Sequence, residues 1–540
     1  MRAFVLCALA AVLAGCAGNG TLAPALSTGP RAGASSGVVR VDITFPALRS
    51  ANAARRPAYL SPSLASVTIA VNGGATTVVN APPPASTSAT VSTIVPAPVG
   101  SDTFVIAAYD ATGGTGKLLG RVTKPTTVVA GIVNNLSFTI DGQLAKIAIV
   151  APNTPFVEGN VANGVTLVGD APERFVAIPE DADGNTIVAP GAVPNLRVAS
   201  AAAAIVVAPN GDGSFTLAAP APTTATSISV TGTDLDGKTI AAPLSVAATG
   251  AFYIADYTVQ AIRVFDETGT PLALGANAFA NVTNPEGLAY RSGTPGTVIV
   301  TETSNPGAPY VVAYDAFGNA QPLAAGAFGG MSRPLFATYA PAANGGTYFV
   351  PDYFTNSVSA FDATGSPIAL ASGSFAGLLN PVAAVYDPHD AQVYVSSGGN
   401  DTIKTYTSAG ALKGSATVGS HPMGVAYDAN NASIYVAFDG TMGAATDGQS
   451  AQVPGITQFN EALAPVSNTG GFANTSTSTL YTGIAYDPYT KQIYAADAGN
   501  SKIVAFTESG TPVVLPAGAF ATISATTSPK ADPMAILFVP

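Results

Sequence analysis

Apolar and polar residues alternate with a period of two over many short stretches of this chain. Val39-Arg40-Val41-Asp42-Ile43-Thr44-Phe45 and Ser66-Val67-Thr68-Ile69-Ala70-Val71 come first. Such a period puts every second side chain on one face of a β-strand. Asn72-Gly73 follows the second stretch and supplies the positive φ angles of a tight hairpin. Further strands are predicted over 103–109 and 135–140. From residue 144 the same grammar returns, with strands predicted over 147–150, 164–168, 175–178, 214–217 and 226–231. Asp181-Ala182-Asp183-Gly184-Asn185 and Asp234-Leu235-Asp236-Gly237 are predicted turns between strands. Alternating carboxylates before a glycine also open calcium loops, but neither segment carries a glutamate at the far end of one. Two β-sandwiches of about 100 residues each are expected, at 38–143 and 144–248.

From residue 249 the pattern becomes periodic. An apolar strand closing in an aromatic recurs six times: Gly287-Leu288-Ala289-Tyr290, Phe336-Ala337-Thr338-Tyr339, Ala383-Ala384-Val385-Tyr386, Gly424-Val425-Ala426-Tyr427, Gly483-Ile484-Ala485-Tyr486 and Ala535-Ile536-Leu537-Phe538. A second strand centres on Ile254, Val300, Val350, Val395, Val436 and Ala495. A third ends in an aromatic before a turn, as in Ile262-Arg263-Val264-Phe265-Asp266. A looser segment around Phe279, Phe328, Phe375, Phe472 and Phe520 is expected to be an outer fourth strand. Four strands every 40 to 60 residues or so define one blade of a β-propeller. The fold class is therefore all-β, with two sandwiches followed by six blades over 249–540. The periodic segment opens on a second-type strand at Tyr253 and ends on a first-type strand at 536–538. The C-terminus should thus complete the first blade and remove its free edge.

Composition narrows the chemistry. Hydrophobic residues make up 47% and charged residues 10%, with 56 glycines, 42 prolines and no tryptophan. That hydrophobic share excludes a largely disordered chain, and so little charge cannot clothe the solvent faces of a helical bundle. The net charge is −11, and no Lys/Arg cluster exceeds the pair Arg55-Arg56, so no nucleic-acid partner is expected. Two cysteines and two histidines exclude a cysteine-rich zinc site, an iron–sulfur cluster and a disulfide framework. No cofactor and no metal site is expected.

The N-terminus carries an address. Arg2 precedes an apolar run from Ala3 to Gly15, shorter than the roughly 20 residues that span a bilayer and suited to a secretory signal. It ends in Leu13-Ala14-Gly15-Cys16, which resembles the lipobox of bacterial lipoproteins. The resemblance implies removal of residues 1–15 and lipid on Cys16, with several acyl chains holding the protein to a membrane. Ala17 rather than aspartate follows, which in such lipoproteins points to the outer membrane of the cell envelope. Residues 16–37, rich in small and polar types, read as a flexible linker.

Two further resemblances bear on fold. The predicted sandwiches resemble immunoglobulin-like domains, the second of them the repeats of bacterial surface adhesins. Asp497-Ala498-Gly499-Asn500-Ser501-Lys502-Ile503 followed by Phe506 resembles the NHL-type six-bladed propellers, and Asn400-Asp401-Thr402-Ile403 and Asn356-Ser357-Val358 are weaker copies. Such propellers bind ligands at one mouth of a central channel. Five of the six innermost strands are preceded by proline: Pro285, Pro334, Pro381, Pro422 and Pro533. The residues before them, Asn284, Arg333, Asn380, His421 and Asp532, together with Glu286, form the candidate ligand-binding ring. Turn preference accounts for the asparagines and aspartate without a ligand, and a residue before proline is expected to be extended. His389 is placed in an exposed polar turn. Lyases of this propeller class hold zinc with several channel histidines, whereas only His421 sits suitably here. Lactonases of the class hold calcium with Glu, Asn and Asp, the types found at Glu286, Asn284, Asn380 and Asp532. Asp256, Glu302, Asp352 and Asp497 are expected to cap turns. No catalytic residues are identified. The expected function is a lipid-anchored envelope protein presenting its propeller to a protein, peptide or glycan. The alternative is a lactonase-like hydrolase or a lyase with one metal in the channel.

Overall fold

The computed structural model describes residues 35–45, 61, 63–83, 89–189, 193–293, 296–303, 310–341, 343, 345–440, 453–468, 471–472, 478–524 and 530–540. The signal segment, Cys16 and most of the linker lie outside them. Among the described residues the chain is almost entirely β, with helical structure confined to short 3-10 turns at Thr112–Gly114 and Gly398–Asn400. No helix there is long and apolar enough to cross a membrane. Contacts divide the chain into two compact units, one ending at Asp141 and the other running from Gly142 to Pro540.

In the first unit Ser36–Phe45 lies between Ala89–Pro98, antiparallel to it, and Val133–Leu136, parallel to it. The alternation is kept throughout, so Val39, Val41, Ile43 and Phe45 point inward. A second sheet runs Thr76–Asn80, Ser66–Val71, Gly100–Tyr109, Leu118–Val128, and Val67, Ile69, Phe104 and Ile106 share the first sheet's core. The Asn72-Gly73 turn takes positive φ at both residues. The strand expected at 135–140 starts and ends earlier, at Val133–Leu136.

The second unit opens with two sheets on a core of Phe175, Phe215, Leu217, Val230 and Leu244. One runs Val157–Asn160, Gly164–Val168, Thr239–Thr249, Thr223–Thr233, Arg197–Ser200, the other Val206–Pro209, Ser214–Ala218, Glu173–Glu180, Lys146–Val150. The two aspartate-rich segments are turns. Asp181 Oδ1 accepts from the Asp183 and Asn185 amides, and Asp234 Oδ1 from those of Asp236 and Lys238. These two sheets pack on the C-terminal part of the unit through an edge-to-face contact of Phe156 with Phe317 and a hydrogen bond from Tyr290 to Asp170. Burial at that contact pushes the Asp170 carboxyl up to about 6.

Among the described residues, 251–539 form six small antiparallel sheets in chain order. Their first strands are Pro533–Val539, Pro285–Arg291, Thr338–Ala340, Pro381–Asp387, Pro422–Asp428 and Tyr481–Asp487 for sheets one to six. The second strands are Ala251–Asp256, Thr297–Glu302, Thr347–Asp352, Gln392–Ser397, Ser433–Phe438 and Gln492–Asp497, the first three buried along their whole length and the others at all but one end residue. The third strands are Ala261–Asp266, Val311–Tyr314, Ser357–Asp362, Thr402–Thr407, Gly455–Asn460 and Lys502–Thr507. Sheet one is closed from both ends of the segment, with Ala251–Asp256 paired to Pro533–Val539. First strands of all six sheets, among them Leu288, Thr338, Val385, Val425, Ile484 and Leu537, line one cavity of about 180 Å³. Backbones come close there: a Cβ on Gly483 would meet Met534 O at 2.7 Å, and one on Gly287 would meet Leu335 O at 2.5 Å. The arrangement fits a β-propeller.

The segments expected as fourth strands are turns instead. Phe279, Phe328, Phe375, Phe472 and Phe520 all take positive φ, between 44° and 54°, which no strand contains. Four donate their backbone N–H to a turn glycine of the next sheet: Phe279 to Gly318 O, Phe328 to Gly365 O, Phe375 to Gly410 O, and Phe520 back to Gly269 O of sheet one, each at 2.8 Å. The N–H of Phe472 lies against Gly510. Each ring then packs on the aromatic ending the next sheet's third strand, with centroids 4.9 to 5.6 Å apart: Tyr314, Phe361, Tyr406, Phe506 and Phe265 in turn. Fourth strands do form in sheet four, at Leu412–Thr417, and in sheet six, at Pro512–Val513.

Gly365 and Gly373 separate this contact from backbone strain. Both have φ near +84°, but a Cβ on Gly365 meets the Phe328 ring at 2.7 Å while one on Gly373 meets nothing within 4 Å. Both Gly→Ala changes carry the left-handed penalty of about 1–2 kcal/mol. Gly365→Ala should cost a further 1–3 kcal/mol or so from overpacking, read as the difference between the two variants in urea unfolding.

Candidate functional site

The residues of the candidate ring stand where the chain enters the first strands, at the end of the sheets opposite the terminal aromatics. A repeated device fixes them. The last residue of the second strand turns a carboxylate or hydroxyl back onto the backbone that precedes the first strand of the same sheet. Asp256 accepts from the Asp532 amide at 3.0 Å, Glu302 from Thr283 at 2.8 Å, Asp352 from Arg333 at 2.9 Å and Asp497 from Leu480 at 3.2 Å. In sheet four the Ser397 hydroxyl takes the Leu379 amide at 2.8 Å. The acidic strand ends are therefore caps, and Asp256, Asp352 and Asp497 are fully buried in that role. Asn284, Asn380 and His421 adopt positive φ of 44° to 54° rather than the extended backbone expected before proline. Asparagine tolerates that region because its short side chain bonds locally.

Arg333 and Glu286 come together. The guanidinium Nη2 lies 3.1 Å from Glu286 Oε1 and 3.4 Å from Oε2. Glu286 is only 4% exposed and also accepts from the Thr303 hydroxyl at 2.9 Å. Burial raises its pKa, opposed by Arg333 and Thr303 and reinforced by the charge of Asp532. Asp532 is raised in turn by burial and by Asp256. The Arg333 guanidinium also lies over two rings, 5.0 Å from the Tyr353 centroid and 5.5 Å from that of Phe354, a cation–π arrangement. Phe354 is 61% exposed.

The other ring members turn to separate partners. Asn284 Oδ1 accepts from Gln260 at 3.3 Å. The Asn380 side-chain amide donates to Tyr353 O at 3.1 Å, tying sheet four to sheet three. His421 Nδ1 lies 3.0 Å from Asp439 Oδ2, and its amide donates to Asp401 at 2.7 Å. The arc Glu286–Arg333–Tyr353–Asn380 is thus linked side to side, while His421 and Asp439 form a second pair. Sequence reasoning missed Tyr353, Phe354, Thr303 and Asp439. Of these, Tyr353-Phe354 is visible as an aromatic pair directly after a second strand. Asp439 lacks such a signal.

No protein family matches the chain, and neither does any curated protein. Solved structures similar to it include a nidogen–laminin complex (14% identity, 54% of this chain and 98% of that chain, TM-score 0.38). Another is a protein of Bacteroides fragilis provisionally named a 6-phosphogluconolactonase (12% identity, 54% and 98%, TM-score 0.35). A third is hydrazine synthase of Kuenenia stuttgartiensis (14% identity, 47% and 72%, TM-score 0.34). Likeness at this level assigns no function.

Removing the cation tests the electrostatics. Arg333→Ala leaves Glu286 buried without its counter-charge and should cost about 1–3 kcal/mol at pH 7.5. A carboxyl with a raised folded pKa keeps its proton longer in the folded state. Its destabilising charge is therefore absent below the ordinary value of 4.5 and appears as pH climbs through the folded value. Urea unfolding should show the variant's deficit shrinking at pH 4, whereas an equal deficit at both pH values would refute the pairing.

Proposed function

We propose that this chain is a lipid-anchored binding protein of a bacterial cell envelope, carrying two immunoglobulin-like domains and an NHL-like six-bladed propeller over 249–540. The anchor rests on Leu13-Ala14-Gly15-Cys16, and an outer-membrane position on Ala17. The six-blade reading is supported by six consecutive sheets around one cavity and by the bond from Phe520 in sheet six back to Gly269 in sheet one.

The ligand is a protein, peptide or glycan taken at the mouth around Arg333. One observation carries this: an exposed aromatic, Phe354, beside a guanidinium already held by a buried carboxylate. Aromatic rings and arginines are the side chains through which surfaces gain most binding energy. Here the arginine is fixed before the ligand arrives, so little rotamer entropy is lost on binding. Leu379, 39% exposed, adds apolar surface on the segment bonded to Tyr353. A metal-dependent hydrolase or lyase is the weaker reading, since Glu286 is engaged by Arg333 and the side chains of Asn284 and Asn380 by other partners.

Two measurements test the proposal. Cells fed an alkynyl fatty acid should label the wild-type chain and not Cys16→Ser. Purified protein on peptide and oligosaccharide arrays should capture a defined class of probe, with affinity reduced tenfold or more in Phe354→Ser at unchanged thermal stability. Equal capture by wild type and Phe354→Ser would remove the site.

A further inference from the structure

At the opposite end of the sheets, three metal-ligating side chains converge on the join between sheets four and five. His389 and Asp390 lie in the turn after the first strand of sheet four, and Glu461 directly follows the third strand of sheet five. His389 Nδ1 is 3.2 Å from Asp390 Oδ1 and 3.7 Å from Glu461 Oε1, and the three donor atoms all lie within 4.8 Å of one another. Ligands about 2.1 Å from a tetrahedral zinc ion stand roughly 3.4 Å apart, so two of these separations already suit a common ion. It is the sole such grouping of three or more among the described residues.

A second observation points the same way. Asp387, beneath the turn, is fully buried. Its Oδ1 accepts from the His389 amide at 2.7 Å, while its Oδ2 has no hydrogen-bond partner. The Tyr427 hydroxyl donates to Glu461 Oε1 at 2.8 Å and also faces the Asp387 carboxylate. Tyr427 stands in the field of both Asp387 and Glu461. Two carboxylates that share a single hydroxyl, one of them fully buried, are costly unless a positive charge offsets them. The backbone already fixes the place, since the Tyr394 hydroxyl of sheet four donates to Glu461 O at 3.0 Å.

We infer that His389, Asp390 and Glu461 bind a first-row divalent transition cation of the zinc class, with the Asp387 carboxylate supporting the site from below. An imidazole nitrogen among the ligands favours such ions over calcium or magnesium, which take oxygen alone. His389 and Asp390 are exposed, which leaves room for water as a further ligand. The ion would clip sheet four to sheet five, the one join where no phenylalanine latch is found among the described residues. This site is separate from the mouth around Arg333.

Titration of the metal-free full chain with Co²⁺ and Zn²⁺ tests it. Co²⁺ should give visible d–d absorption that saturates at one equivalent and is displaced by Zn²⁺. His389→Ala and Glu461→Gln should each weaken this binding tenfold or more, with unchanged circular dichroism in the absence of metal. Mg²⁺ and Ca²⁺ at the same concentration should not displace Co²⁺. Binding that is absent, or equally tight in wild type and both variants, overturns the proposal.

Discussion

A phenylalanine held in left-handed backbone conformation, bonded to a glycine carbonyl one sheet further on, is the contact on which the second half of the chain depends. Neither half of it is cheap alone. A bulky residue at positive φ costs free energy, and a turn glycine surrenders much backbone entropy. Together they place an aromatic ring against the ring that ends the neighbouring third strand, at a spacing where aromatic pairs contribute about 0.5–1.5 kcal/mol beyond burial. Repetition makes this local device a global constraint, because Phe520 joins the last sheet to the first. The exception obeys the same logic. In sheet five the turn glycine is replaced by Leu463 at φ 59°, and sheet four instead extends a true fourth strand, where a Cβ on Gly414 would stand 3.7 Å from the Leu463 side chain.

The same economy governs the mouth. Buried carboxylates at the ends of second strands are occupied by backbone amides, so they hold the rim rather than serve as acids. What stays exposed is the outer layer, part of the Arg333 side chain with Phe354 and Leu379, the surface proposed above for ligand binding. A rim fixed from behind and apolar in front suits recognition, in which preorganisation matters more than proton transfer.

Much of this was legible in the sequence because strands announce themselves locally. Period-two alternation gave the strand at Ser36–Phe45, and the recurring terminal aromatic gave all six first strands. The phenylalanine segments were misread because Ala-Phe looks like a strand fragment, and nothing local signals positive φ in a phenylalanine. Its cause is a glycine in the following repeat. The ring positions were visible through their prolines, but the partners were not. Arg333 meets Phe354 across the first two strands of sheet three, and His389 meets Glu461 from a different sheet. Pairings of that kind are properties of the closed arrangement rather than of any window of sequence.

Closure by the C-terminal strand is the claim on which the cavity, the latches and the mouth all rest. Its most direct test is amide hydrogen exchange at Tyr253–Ala255 in the full chain and in a chain ending at Asp532. The account predicts that losing Pro533–Val539, the antiparallel partner of Ala251–Asp256, abolishes slow exchange there and also at Ile493–Ala495 in sheet six. Unchanged protection at both places in the shortened chain would contradict it.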